Sequence, residues 1–142
     1  MRPLPVTLIS FYQMLRGVIY GVVGLSVLAF AGLESRLSFL GAEGNAMHGF
    51  LRGFGHITGL IVLIAAIFHL AAGYGLLQMQ NWGRLLTLLF SAVGLVLLIP
   101  FLHGLTIPLI FAAINAVTIF YLALPPIKRA FHDHDKALHM AA

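Results

Sequence analysis

The chain has 142 residues, of which 61% are hydrophobic and only 8% are charged, a composition far outside that of soluble globular domains. Eight Lys and Arg against four Asp and Glu give a net charge of +4, yet the basic residues are not grouped into a nucleic-acid-binding surface. The absence of Cys excludes disulfides, thiol catalysis, Cys-ligated zinc and iron–sulfur clusters. We therefore expect an integral membrane protein that forms a single domain over residues 1–142.

Four apolar segments are each long enough to cross a membrane as a helix, which takes about 20 residues. They lie at about 11–33, 54–79, 82–99 and 105–124, with a long loop predicted between the first two at 34–53. Pro100 and Pro125-Pro126 follow the third and fourth segments, where proline interrupts the hydrogen-bond ladder of a helix. The predicted fold class is all-α, with four transmembrane helices in an antiparallel up-down bundle and a tail at 125–142.

The cations predict the orientation of this bundle. Two of them, Arg36 and Arg52, lie on the side that holds the 34–53 loop. Six lie on the side that holds both termini, namely Arg2, Arg16, Arg84, Lys128, Arg129 and Lys136. Because Lys and Arg are retained on the cytoplasmic side of a membrane, this asymmetry places both termini in the cytoplasm.

The predicted spans contain no Asp or Glu. The four acids, Glu34, Glu43, Asp133 and Asp135, all fall in the loop or the tail. Ion-coupled transport and proton relay commonly depend on carboxylates within the membrane. Their absence disfavours those functions and leaves a small channel or carrier for a neutral solute as one alternative.

Histidine is the main candidate for cofactor chemistry. His56 and His69 lie on one predicted helix, but thirteen residues separate them by about 140° around its axis, so they do not face one bundle interior together. His56 and His103 are predicted within about 5 Å of the same membrane level. Together with His48 and Glu43 of the loop they offer ligand types for a metal or haem, although interfacial histidines meeting water are the favoured interpretation.

His69 falls in the middle of the second span, where an imidazole needs a partner. Asn115 on the fourth span is predicted at a comparable depth, so we expect both side chains to face the protein interior as a structural polar pair. A partner subunit's polar group is another possibility. The alternative use of His69, and of His56 and His103, is as an axial ligand to haem b or a chlorophyll-type pigment.

The tail is rich in histidine and aspartate. As a helix it would place His132, Asp135 and His139 on one face, but the spacing is not diagnostic of a metal site, so no metal is expected. A solvated cytoplasmic tail is the favoured interpretation.

Small residues recur at four-residue spacing, as in Gly55/Gly59 and Ala112/Ala116, and such spacing lets helices approach closely in a membrane. Packing within the chain's own bundle and docking on a partner's helix both remain open. For a partner, the predicted surface is the stripe formed by Gly17, Gly21 and Gly24 on the first span.

The second and third spans are joined by a distinctive hairpin. A Gly-x-Gly-Leu helix end (Gly73 to Leu76) is followed by a short polar turn and then by Trp82-Gly83-Arg84. With the sequence that follows, this hairpin resembles a segment of small, uncharacterised bacterial four-helix integral membrane proteins over roughly residues 53–125. The resemblance implies their fold and a bacterial inner membrane, and it implies no activity.

No nucleophile–base pair, phosphate-binding loop or zinc-protease motif is present in the sequence, so the chain is not expected to be an enzyme. The leading hypothesis is a non-catalytic accessory subunit that stabilises a larger respiratory or photosynthetic membrane complex. Its expected partners are membrane lipids and other integral membrane subunits, with no nucleic acid and no cofactor. The alternatives are the haem- or chlorophyll-binding subunit for electron transfer or light harvesting, and the channel or carrier.

Overall fold

The computed structural model describes residues 3–39, 46–101 and 106–140. Over these ranges the chain forms the helices α1 (Leu4–Phe39), α2 (Ala46–Leu77), α3 (Asn81–Leu98), α4 (Thr106–Ala123) and α5 (Pro125–Met140), with a 3-10 turn at Ile99–Phe101. Four stretches are long and apolar enough to cross a membrane, and they are Leu4–Leu33, Gly53–Leu77, Asn81–Leu98 and Thr106–Ala123. The prediction of an all-α fold with four long apolar helices is confirmed, and these helices indicate a membrane protein.

Two predicted boundaries are wrong. Helix α1 begins at Leu4 rather than near residue 11, because Pro5 lies in the first turn, where a helix does not need the missing N–H. The predicted 34–53 loop is largely helical, since α1 continues to Phe39 and α2 begins at Ala46. Hydrophobicity marks where a helix is apolar, and in the 34–53 region, which contains no proline, both helices continue beyond their apolar stretches.

The helices divide into two compact units. The hairpin unit is Leu15–Leu70, which holds most of α1 and α2. The terminal unit is Met1–Met14 together with Ala71–Ala142, which holds the start of α1, the end of α2, and α3 to α5. Whether the two form the single antiparallel bundle expected from the sequence stays a prediction.

In the hairpin unit, α1 and α2 pack antiparallel through glycines. A Cβ at Gly17 would lie 2.8 Å from Leu70 Cγ, and one at Gly24 would lie 2.9 Å from Leu63 Cγ and 3.1 Å from the Gly59 carbonyl oxygen. Residues later in α1 therefore contact residues earlier in α2, as in an antiparallel pair. Only glycine permits this close approach. The resulting van der Waals packing stabilises the helix pair in lipid, where no hydrophobic effect drives helices together.

Gly17 and Gly24, two residues of the predicted partner stripe, pack against α2 of the same chain, and docking of a partner on that stripe stays a prediction. Gly21, the third residue of that predicted stripe, is looser, since a Cβ there would come no closer than 4.0 Å to Ala66 Cβ. The periodicity of small residues was detectable in the sequence, but it does not state which helix they face.

In the terminal unit, α2 ends in a tight turn closed by two backbone hydrogen bonds. The Gln80 N–H donates to the Gly75 carbonyl at 2.9 Å, and the Met79 N–H donates to the Leu76 carbonyl at 3.0 Å. Met79 has φ 55°, in the left-handed region that usually requires glycine. Its side chain is buried in the core of this unit, and this packing offsets the backbone strain.

The turn brings α2 and α3 into backbone contact at Gly75 and Gly83. A Cβ at Gly83 would lie 2.5 Å from the Gly75 carbonyl carbon and 2.6 Å from the Leu76 nitrogen. Because both neighbours are backbone atoms, they cannot rotate away from an added methyl group.

Helix α5 is anchored to the same unit. Its Phe131 is fully buried in a core that also contains Val6, Leu76, Met79 and Leu122. Ile127 and Ala130 pack against this core from the same helix. The segment expected as a solvated tail is a helix that docks through Ile127, Ala130 and Phe131, whereas His132, Asp133, His134 and Lys136 are exposed. The order of α5 comes from the chain's own core.

Candidate functional site

In the hairpin unit, the buried His69 contacts a half-buried polar pair, Arg16 and Tyr20. This side chain is only 3% exposed, and its ring contacts the ring of Tyr20 edge-on, with 5.2 Å between the centroids and 66° between the planes. Arg16, one turn earlier on α1, donates from Nε to the Tyr20 hydroxyl at 2.9 Å. The Arg16 Cζ lies 5.3 Å from the centre of the same ring. Tyr20 therefore contacts both an imidazole and a guanidinium.

Arg16 is a member of this cluster that sequence reasoning missed. It was expected at the membrane surface, but it lies twelve residues into the apolar stretch Leu4–Leu33, about 18 Å along the helix. The available signal was the Arg16/Tyr20 spacing of one helical turn together with a proline at the first turn.

The Arg16–Tyr20–His69 cluster joins α1 to α2 and holds positive charge inside an apolar hairpin. An axial ligand to haem or a pigment needs one imidazole nitrogen open to a planar macrocycle. The 3% exposure of His69 and the Tyr20 ring at its edge do not favour that use. The arrangement instead matches the polar contacts that fasten membrane helices together.

The other histidine candidates are not brought together in the described part of the chain. His56 is half-buried near the start of the stretch Gly53–Leu77. His103 and Glu43 lie outside the described residues, as do the side chains of His48, Asp135 and His139. Among the described residues, no group of three His, Cys, Asp or Glu is placed to hold a metal ion.

Asn115 is one of several buried polar residues of the terminal unit. The others, all at most 3% exposed, are Ser10 and Gln13 on α1, Thr87 and Ser91 on α3 and Thr118 on α4. Thr87 and Ser10 donate to backbone carbonyls four residues earlier, at 2.9 Å each. The expected burial of His69 and Asn115 is confirmed, and their mutual pairing stays a prediction because they belong to different units.

A groove opens between α1 and α4 in the terminal unit. Its volume is about 360 Å³. It is lined by Leu8, Ile9 and Tyr12 of α1 and by Ala113, Ile114, Val117 and Thr118 of α4. This α1/α4 groove is apolar apart from Tyr12 and Thr118, so it suits an apolar occupant rather than a charged one.

Comparison of the chain with protein-family models, with curated proteins and with solved structures finds no match.

Proposed function

We propose that this chain is a non-catalytic accessory subunit that stabilises a larger membrane complex of respiratory or photosynthetic type, and that it receives a partner's transmembrane helix in the α1/α4 groove. The observation that carries the proposal is the groove itself, an apolar concavity of about 360 Å³ on a face that the described helices of the terminal unit leave open.

The rim of the groove supports a helix as its occupant. Ala113 and Ala116 on α4 are both exposed, so a second helix can approach the α4 backbone closely. Tyr12 and Thr118 are the two polar residues of the lining. Small residues with occasional polar groups are the pattern by which membrane helices associate.

Three ionisable side chains that are buried or half-buried, Arg16, His69 and Arg84, support a structural role. Arg16 and His69 are engaged with Tyr20. Arg84 donates from Nε to Asn81 Oδ1 at 3.1 Å and from Nη1 to the Leu122 carbonyl at 3.3 Å. These contacts hold the chain's own helices together, which is what a rigid accessory subunit requires.

The proposed location is the bacterial inner membrane, with both termini in the cytoplasm. Arg84, Lys128 and Arg129 gather at one end of the terminal unit. Val6, from the first turns of α1, shares a core with Phe131 of α5 near this end. Basic residues that cluster beside both chain ends support a cytoplasmic position for that end.

Filling the groove should remove the partner. Val117 lies in the lining and is 66% exposed, whereas Val96 on α3 is 64% exposed and lies outside it. We expect Val117→Trp to lower recovery of co-purified membrane proteins about tenfold after mild detergent extraction, since overpacking an interface costs about 1–3 kcal/mol. Val96→Trp should leave recovery unchanged.

A tagged wild-type chain that purifies alone would contradict the accessory role. Equal loss from Val117→Trp and Val96→Trp would contradict the groove as the docking surface. Measuring the far-UV circular dichroism of both variants separates loss of docking from loss of folding.

A further inference from the structure

The end of the terminal unit contains a pocket that the proposed accessory role does not use. Its volume is about 310 Å³, and it is lined by Asn81, Arg84, Pro125, Lys128, Arg129 and His132. Three of these side chains are basic, a fourth is an imidazole, and none is a carboxylate. We call it the basic pocket.

Arg84 forms the fixed wall of the basic pocket. It is only 6% exposed, and its bonds to Asn81 Oδ1 and the Leu122 carbonyl hold the guanidinium in one orientation. A guanidinium carries five N–H donors, of which these bonds use two. The others remain for a ligand, and the pre-set orientation lowers the entropy lost on binding.

The opposite wall is the first turns of α5. Lys128, Arg129 and His132 are all exposed, and His132 follows Arg129 by three residues and Lys128 by four, so it lies on the same side of the helix as both. The first turn of α5 contains no acidic residue, so nothing there neutralises the positive end of its dipole. Two walls of positive charge then face a space large enough for a small anion.

The position of the pocket indicates where the anion comes from. The apolar stretch of α3 begins at Asn81, and that of α4 ends at Ala123, so the pocket lies where both stretches end. In a membrane protein this is the level of the lipid phosphates. Arginine is also suited to phosphate because its donors match two oxygens at once.

We propose that the basic pocket binds a phosphate group, delivered either by the headgroup of an anionic phospholipid or as free phosphate. Arg84 binds the oxyanion from a fixed position, and Lys128 and Arg129 close on it from α5. In this arrangement the ligand connects the start of α3 to α5 and stabilises the packing of α5.

The single tryptophan, Trp82, reports on this site because it is adjacent to Asn81. The full chain in dodecyl maltoside, a phosphate-free detergent, is titrated with dioctanoyl phosphatidylglycerol, with inorganic phosphate and with dioctanoylglycerol, which has the same acyl chains and no phosphate. Trp82 emission and the midpoint of thermal unfolding are measured in each titration.

Arg129→Gln and Lys136→Gln each remove one exposed cation from α5, and only Arg129 lines the pocket. We expect saturable binding of phosphatidylglycerol that Arg129→Gln weakens about tenfold, the value of one charge-assisted hydrogen bond. Lys136→Gln should weaken binding about twofold or less, as for a screened surface charge.

The titrations distinguish the source of the phosphate. Binding of phosphatidylglycerol without inorganic phosphate supports a lipid site, and binding of inorganic phosphate with the same dependence on Arg129 supports a soluble ligand. Three results would each overturn the proposal. The first is that dioctanoylglycerol has the same effect as dioctanoyl phosphatidylglycerol, and the second is that Arg129→Gln and Lys136→Gln weaken binding equally. The third is that neither the emission nor the unfolding midpoint shows a saturable change.

Discussion

Gly83→Ala is expected to destabilise the protein by about 3 kcal/mol, a large effect for the addition of one methyl group. The added Cβ would lie 2.5 Å from the Gly75 carbonyl carbon and 2.6 Å from Gly75 Cα. The bond from the Gln80 N–H to the Gly75 carbonyl closes the turn between the helices, so α2 and α3 cannot separate without breaking it. The greater helix propensity of alanine, about 1 kcal/mol over glycine, offsets only part of this clash.

Gly32→Ala is the matched control, because a Cβ at Gly32 meets nothing within 4 Å. This variant should be neutral or more stable by up to about 1 kcal/mol. Unfolding in mixed micelles with increasing dodecyl sulfate, followed by far-UV circular dichroism, compares the two. If Gly83→Ala unfolds at the same dodecyl sulfate fraction as the wild type, the close approach of α2 and α3 is not a feature of the protein in micelles.

His69→Lys is expected to lower stability by about 3 kcal/mol, the order of the insertion penalty for lysine near the centre of a membrane helix. The side chain of residue 69 is 3% exposed, so water would not solvate the new ammonium group. It would also lie beside the Tyr20 ring, whose hydroxyl already accepts from the Arg16 guanidinium. Two cations would then share one aromatic ring in an apolar hairpin.

His56→Lys tests the same change on the same helix at a half-buried position near the start of the apolar stretch. A lysine there can extend its ammonium to the membrane surface, so this variant should be close to wild type. His69→Leu separates the loss of the imidazole from the gain of a charge, and it should be better tolerated than His69→Lys. Equal unfolding midpoints for the two lysine variants would show that His69 is not buried in the membrane-inserted protein.

Hydrophobicity was sufficient to predict four apolar helices, because a membrane span needs a long stretch of apolar residues whatever its neighbours are. It was not sufficient to predict where the helices end. Leu4 to Ser10 and residues 34–39 are helical because local backbone bonding continues into the flanking sequence. Docking of α5 depends on Phe131, whose burial requires a core supplied by distant residues such as Val6 and Leu76.

For the candidate sites too, burial was predictable from the sequence and specific contacts were not. The burial of His69 and Asn115 was predictable, since a polar side chain in an apolar stretch avoids lipid. The contact of His69 with Tyr20 was not predictable from the sequence, because which residues of α1 and α2 face each other depends on which glycines of the two helices meet. The basic pocket combines residues from α3 and α5 that lie more than forty positions apart in the sequence. In the sequence, these cations predicted only the orientation of the bundle in the membrane.

Photo-crosslinking in native membranes tests the accessory role most directly. A photoreactive benzophenone side chain replaces Val117 in the α1/α4 groove or, as the matched control, Val96 on α3, two positions of nearly equal exposure. The account predicts a discrete adduct with one membrane protein from position 117 and lipid adducts alone from position 96. Lipid adducts alone from both positions, or the same protein adducts from both, would contradict docking of a partner helix in this groove.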